Sequence, residues 1–364
     1  MTTAPLEPTW APDLTAARRE VDTLLTRFLE RKNTTATAQR LPTEAVETLA
    51  SFLTAGGKRL RPLLCITGWH CAAGQQPPPQ AVLQVAAALE MFHAFCLIHD
   101  DVMDHSPTRR GRPTIHRALT ERHTPTRPRA LAEHLGTAAA ILIGDLALTW
   151  SDELIHTAAL TSGQLTALMP LLDAMRSEVV YGQYLDVAAT GAPTVDVAQT
   201  LTVIRYKTAK YTVERPLHIG AALADGTTRL AHALSAYALP LGEAFQLRDD
   251  LLGVFGSPEQ TGKSRLDDLR EGKHTVLVAL ALRDAAPEDR RVLGDLLGRS
   301  DLTEAQAARI RAVLPLTGAR TKVEDMITQR RDHVLRLLDT PGPIHPGAVP
   351  TLHRLADAAT RRTS

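Results

Sequence analysis

From Ala81 to Asp104 the chain reads AVLQVAAALEMFHAFCLIHDDVMD, a run without a single glycine or proline. Those two residues punctuate local structure, so an apolar run this long without either predicts one long, largely buried helix. Such a helix needs other helices to cover it. Helical spacing recurs in LTAARREVDTLLTRFLERKN and around 131–160, 164–190, 196–223, 228–254 and 274–285, with more towards the C-terminus. Few stretches alternate apolar and polar residues as half-buried strands do, and aromatics make up only 4% of the chain. The pattern predicts an all-α protein.

Residues 1–12 hold three prolines and read as a flexible tail. GQQPPPQ (74–80) separates two helices, and DTPGPIHPGAVP (339–350) reads as a loop before a short last helix. No internal repeat and no linker divides the remainder, so residues 13–364 are expected to form one domain. A formal charge of +1 gives no basic excess for nucleic acid or an anionic membrane. No unbroken apolar run reaches the roughly 18 residues that span a bilayer, so no stable membrane span is expected. Three cysteines (Cys65, Cys71, Cys96) without zinc-like spacing indicate neither a disulfide framework nor a structural metal, which fits a reducing cytoplasm.

The long helix ends on acids. Asp100 and Asp104 lie four residues apart on one face, about 6 Å from each other, with Asp101 beside them. Three carboxylates this close need a counter-charge, and a helix C-terminus disfavours them further. Mg2+ supplies one, since it takes oxygen ligands and binds through one or two carboxylates plus a substrate's phosphates. Taken alone, DDxxD also fits a solvated acidic helix end. A second pair, Asp249 and Asp250 in AFQLRDDLLGVFG, sits in another apolar helical run, where carboxylates are costly without a cation. Facing each other across a cavity, the two helices would form a metal-diphosphate clamp. Cations surround them in sequence: GGKRLRP (56–62), Arg109 and Arg110, YKTAK (206–210) and TGKSRLDDLREGKHT (261–275). GGKRLRP lacks the GxxxxGK[ST] pattern of a P-loop.

In their order and spacing GGKRLRP, FHAFCLIHDDVMDHSPTRRGRPTIH, YKTAKYT and AFQLRDDLLGVFG followed by TGK and DDLREGKHT resemble the trans-isoprenyl diphosphate synthases, or polyprenyl synthetases. The resemblance covers about residues 50–280 and looks closest to actinobacterial-type geranylgeranyl diphosphate synthases. It implies a single-domain antiparallel helical bundle around a deep central cavity, and a homodimer. It implies that Asp100, Asp104 and Asp249 bind Mg2+, three ions per site, with Asp101 supporting the first motif and Asp250 acting through water or a neighbouring cation. Lys58, Arg61, His93 and Arg110 match positions for isopentenyl diphosphate. Arg109, Lys207 and Lys263 match those for the allylic diphosphate, and Thr208, Gln183 and Gln246 match polar positions near the reacting carbons. The chain departs from the family at Gly253, where the second motif usually ends in aspartate.

The implied reaction is head-to-tail condensation of isopentenyl diphosphate with an allylic diphosphate. Helix geometry places Cys96 about 6 Å, Phe95 about 7.5 Å and Phe92 about 12 Å below Asp100, with Phe95 off the aspartate face. The resemblance nevertheless marks Phe95 as a chain-length floor and favours a geranylgeranyl (C20) product, with farnesyl diphosphate as the alternative. Two other readings are a class I terpene cyclase, which would carry an NDxxSxxxE-like second motif, and a non-catalytic partner subunit. The stretch 117–135 reads as either a solvated loop or a lid.

Overall fold

The computed structural model describes residues 12–191, 194–256 and 265–360. Helices α1 (Leu14–Ala38), α2 (Glu44–Thr54), α3 (Leu60–Ala73) and α4 (Gln80–Met103) are followed by a short hairpin, β1 (Thr108–Arg109) and β2 (Arg112–Pro113). Then come α5 (Ile115–His123), α6 (Arg129–His156), α7 (Ser162–Ala189) and α8 (Val197–Ile204). A π-helical stretch, Arg205–Glu214, links α8 to α9 (Arg215–Leu223), and α10 spans Thr228–Phe255. The remaining elements are α11 (Asp267–Glu271), α12 (Val276–Asp284), α13 (Pro287–Leu296), α14 (Glu304–Leu316), α15 (Ala319–Leu338) and α16 (Val349–Thr360). Among the described residues the hairpin is the only sheet, so the all-α reading stands.

Local chemistry sets the helix ends that matter for the site. Helix α4 stops in a Schellman motif: Ser106 N–H donates to Asp101 C=O at 3.0 Å and His105 N–H to Val102 C=O at 3.3 Å, with His105 left-handed at φ 52°. That turn leaves Asp104 at the helix terminus and reverses the chain into the hairpin. There Arg109 pairs with Arg112, and positive φ at Arg110 (53°) and Gly111 (72°) makes the two-residue type I′ turn. The hairpin thus folds two arginines back towards the acids.

Three apolar clusters surround the site rather than one. The first joins α1, α4, α6 and α7; the second joins the C-terminal half of α10 to α12–α15; the third joins α3, α9, the first half of α10, the end of α15 and α16. The π-helical stretch lies between α7 and α10. It comes within backbone contact of both, because a Cβ on Gly182 would lie 2.7 Å from Lys207 Cα and one on Gly242 2.7 Å from Ala209 Cβ. Larger residues there would push Lys207 and Thr208 away from the facing helices.

Two sequence expectations need correction. By length and composition α4 and α6 could each cross a membrane, which a search for unbroken apolar runs missed because isolated polar residues interrupt them. In α4 that surface is mostly buried against the rest of the protein. Residues 117–135 are not a solvated loop: they form α5, a short 3-10 turn and the start of α6. Helix α5 packs along α6, and Arg129 bridges Glu121 at 2.9 Å and Glu133 at 2.8 Å.

A buried ion pair ties the glycine loop before α3 to α4. Arg59, left-handed at φ 51°, donates to Glu90 Oε1 at 2.9 Å, Asp22 Oδ1 at 2.7 Å and Leu53 C=O at 2.6 Å. Both Arg59 and Glu90 are almost fully buried, so removing one charge strands the other. Glu90→Gln is expected to lower the unfolding free energy by about 3 kcal/mol, read by urea denaturation; a loss under about 1 kcal/mol would show that Asp22 alone satisfies Arg59.

Candidate active site

Asp100, in the last turn of α4, is the point where several elements converge. Lys207 Nζ from the π-helical stretch lies 3.1 Å from Oδ1, Gln183 Nε2 from α7 also lies 3.1 Å from Oδ1, and Arg109 from the hairpin reaches Oδ2 at 3.2 Å. Burial opposes ionisation of this carboxyl, but Lys207 and Arg109 outweigh it and hold it down at about 2. At Asp104 the balance falls the other way. Burial, and then the charge of Asp100, push it up to about 6.

Arg109 is committed to the acids. Its Nε lies 2.8 Å from both oxygens of Asp101, which is buried, and its NH2 lies 2.7 Å from Oδ1. The resemblance places Arg109 on the allylic diphosphate; here its guanidinium offsets Asp101 and Asp100. Crowding inside the first motif is relieved by this bidentate pair, the strongest geometry available to an arginine and a carboxylate.

The second motif faces this one. Thr208 Oγ1 donates to Gln246 Oε1 at 2.9 Å, and Gln246 Nε2 donates to Asp250 Oδ1 at 2.8 Å, so a polar chain crosses from the π-helical stretch to α10. Asp250 is buried and Asp249 exposed. Burial pushes Asp250 up to about 7 against the pull of Lys273 and Gln246. Between the motifs stand residues that the sequence reading left out. Asp186, one turn after Gln183 on α7, pairs with Lys207 Nζ at 2.5 Å. Lys273, just after α11, is raised well above the usual lysine range by Asp268 first, burial opposing, and then by Asp250, Asp186 and Asp249. The i, i+3 spacing of Gln183 and Asp186 was the available signal for the first, and both Asp268 and Lys273 lie in the quoted stretch 261–275.

A small pocket of about 40 Å³ lies between Lys207, Thr208, Gln246 and Asp250, room for no more than a few waters, and a wider cleft of about 530 Å³ adjoins it at Asp186 and Lys273. Lys263 lies outside the described residues.

A basic cluster flanks the first motif. His93 Nδ1 lies 3.2 Å from Tyr211 Oη, and Arg61 stacks over the Tyr211 ring at 4.2 Å while donating to Thr212 Oγ1 at 2.6 Å. Burial, then Arg61, Arg110, Arg109 and Arg59, hold His93 well below its usual value, so it stands neutral at pH 7. Arg110 donates to Gly56 C=O, and Lys58 is exposed on the adjoining loop. Arg61 and Arg110 bond a hydroxyl and a carbonyl rather than a carboxylate, so with Lys58 they leave positive charge that can receive an anion.

Below Asp100 the aromatic rings interlock. Phe95 meets His99 at 4.7 Å and Phe92 at 5.3 Å, and Phe92 meets the Tyr211 edge at 5.9 Å with Arg176 5.6 Å from its ring. Phe92 is buried, whereas Phe95 and Cys96 are half-buried. Burial pushes the Cys96 thiol up to about 11, so it acts as a small apolar group.

Do these residues fit a magnesium ion? Among the described residues no three His, Cys, Asp or Glu side chains converge into a ready-made cage. The donor set still suits Mg2+: Asp100, Asp104, Asp249 and Asp250 are hard oxygen donors. Burial pushes Asp104 and Asp250 up despite the pull of Lys273, so a further cation would stabilise both carboxylates. A Mg2+ ion bound through one carboxylate each plus a phosphate needs no closed cage.

The polyprenyl synthetase family model matches residues 43–314. A geranylfarnesyl diphosphate synthase of Aeropyrum pernix is 34% identical over 250 residues, 68% of this chain and 72% of that protein. A farnesyl diphosphate synthase of Geobacillus stearothermophilus is 33% identical over 279 residues, 75% of this chain and 84% of that protein. Among solved structures, geranylgeranyl pyrophosphate synthase from Corynebacterium glutamicum, in complex with isoprenyl diphosphate and magnesium, superposes with a TM-score of 0.91 at 39% identity, covering 96% of this chain and all of that one. With the acidic motifs, the basic cluster and the helical fold in agreement, the chain belongs to the polyprenyl synthetase family and is an enzyme of the trans-prenyltransferase type.

Proposed function

We propose that this enzyme condenses isopentenyl diphosphate with allylic diphosphates and releases geranylgeranyl diphosphate. The observation that carries it is the meeting of Asp100, Lys207 and the Thr208–Gln246–Asp250 chain opposite a separate basic cluster at His93. Two anion-binding regions beside one set of acids suit two diphosphate substrates. Relatives with differently named products share the family, so product length rests on the aromatic rings of Phe92 and Phe95 below Asp100.

Asp100, Asp104 and Asp249 would hold magnesium, three ions per site, with Asp250 held behind them. When bound, magnesium neutralises the allylic diphosphate and lowers the cost of its departure. Lys207 would grip that diphosphate, while Arg61, Arg110 and Lys58 would hold isopentenyl diphosphate with neutral His93 donating or accepting one hydrogen bond. As the allylic C1–O bond breaks, Thr208 and Gln246 present hydroxyl and amide dipoles to the cationic carbon. The double bond of isopentenyl diphosphate attacks C1, and a proton leaves the new chain to the departing diphosphate. Water exclusion matters because a hydrated cation would give an alcohol. Exposed Leu131, Ile141 and Leu142 on α6 are the surface we assign to a second copy in a homodimer.

The test incubates the purified chain with isopentenyl diphosphate and dimethylallyl, geranyl or farnesyl diphosphate, with Mg2+ or with EDTA, and reads products by mass spectrometry. The expected result is Mg2+-dependent consumption of isopentenyl diphosphate ending at C20. Accumulation at C15 would make it a farnesyl diphosphate synthase. A hydrocarbon formed without isopentenyl diphosphate would indicate a cyclase, and no turnover would indicate a partner subunit.

A further inference from the structure

Below the acids, α7 brings a charge to a wall that is otherwise apolar. Gln183 reaches Asp100 from α7, and Arg176 lies seven residues earlier on the same helix face, about 10 Å further down. Phe92 lies about 12 Å below Asp100 on α4. The two side chains therefore stand at nearly one level, and the Arg176 guanidinium is 5.6 Å from the centre of the Phe92 ring. Its NH2 donates to Asp152 on α6, while its Nε is buried with no hydrogen-bond partner among the described residues. Met175 and Val179, its neighbours on α7, are buried in the same apolar cluster as Phe92. A hydrocarbon end that meets an apolar side chain can be accommodated by repacking. Meeting this pair, it would have to part the guanidinium from Asp152 and leave charge against methyl groups.

We propose that Arg176 and Asp152 form a charged floor beneath Phe92 that fixes how far the prenyl chain can grow, with the Phe92 ring as its apolar lining. This inference rests on the product-length reading above. It moves the final limit from the α4 positions marked in the sequence to a contact between α6 and α7. The ring is braced from below by the cation, and the cation is pinned by the carboxylate.

The experiment supplies isopentenyl diphosphate, geranyl diphosphate and Mg2+ to the parent and its variants and reads product length by mass spectrometry. Arg176→Met alone should keep the parental main product, because Phe92 still stands in the way. Phe92→Ala with Arg176→Met should give a main product at least one isoprene unit longer than Phe92→Ala, a non-additive change. Asp152→Asn in the Phe92→Ala background should do the same, and with 37% of its side chain exposed Asp152 tolerates the change without unfolding the chain. Lys32→Met breaks a different ion pair of α6, that of Lys32 with Glu153, and should leave the length unchanged in both backgrounds. If Phe92→Ala fails to fold, Phe92→Leu carries the same comparison. One main product in Phe92→Ala with and without Arg176→Met, or an equal lengthening from Lys32→Met, would overturn the floor alone. Unchanged length in the Phe92 variant overturns the product-length reading, and a parent that consumes no isopentenyl diphosphate overturns prenyl transfer itself; the floor falls with either.

Discussion

Asp100→Ala is expected to lower kcat/KM for the condensation by roughly a thousandfold or more. No other carboxylate in the first motif gathers partners from so many elements: Lys207, Gln183 and Arg109 all reach it. Its removal takes away a proposed metal ligand. It also releases Lys207 to Asp186 alone, where the ammonium is neutralised away from the substrate. Asp100 keeps a fifth of its side chain exposed, so the fold should survive and circular dichroism should match the parent. Asp100→Asn keeps the shape and tests the charge; a comparable loss is expected there. Near-normal Mg2+-dependent turnover in Asp100→Ala would sink the clamp model.

Phe95→Ala and Phe92→Ala should lengthen the product, by different routes. Phe95 is half-buried and leans on His99, so its truncation opens volume at modest cost to stability. Phe92 lies deeper, enclosed by Tyr211, Phe95 and Arg176, and its loss should cost about 3–5 kcal/mol while opening more depth. Product mixtures extending past C20 are expected from each, and longer ones from the double variant if it folds. Mass spectrometry of the extracted products gives the answer. Unchanged chain length in all three variants would show that these rings pack the core without limiting growth.

The acidic end of α4 was legible because its cause is local. A run without glycine or proline makes a helix, and i, i+4 spacing puts Asp100 and Asp104 on one face whatever surrounds them. Phe92, by the same arithmetic, falls beneath that face. Membrane-length apolarity in α4 and α6 was misjudged by counting unbroken runs, since a helix averages its polar interruptions over the whole window. The order of 117–135 was also misjudged, because the ion pairs of Arg129 and the packing of α5 on α6 join segments whose polar composition looked loop-like.

Sequence alone determined the helical class, the two acidic pairs and the supply of cations around them, because each depends on residue type and spacing within one element. Tertiary structure decided which charges meet. Asp186 reaches Lys207 only because Gly182 lets α7 touch the π-helical backbone, and Arg109 turns onto Asp101 because a left-handed Arg110 and Gly111 fold the hairpin back. Asp268 stands over Gly253 because α11 returns across α10. Coulomb energy depends on distance through space and on burial, and neither can be read from separation along the chain.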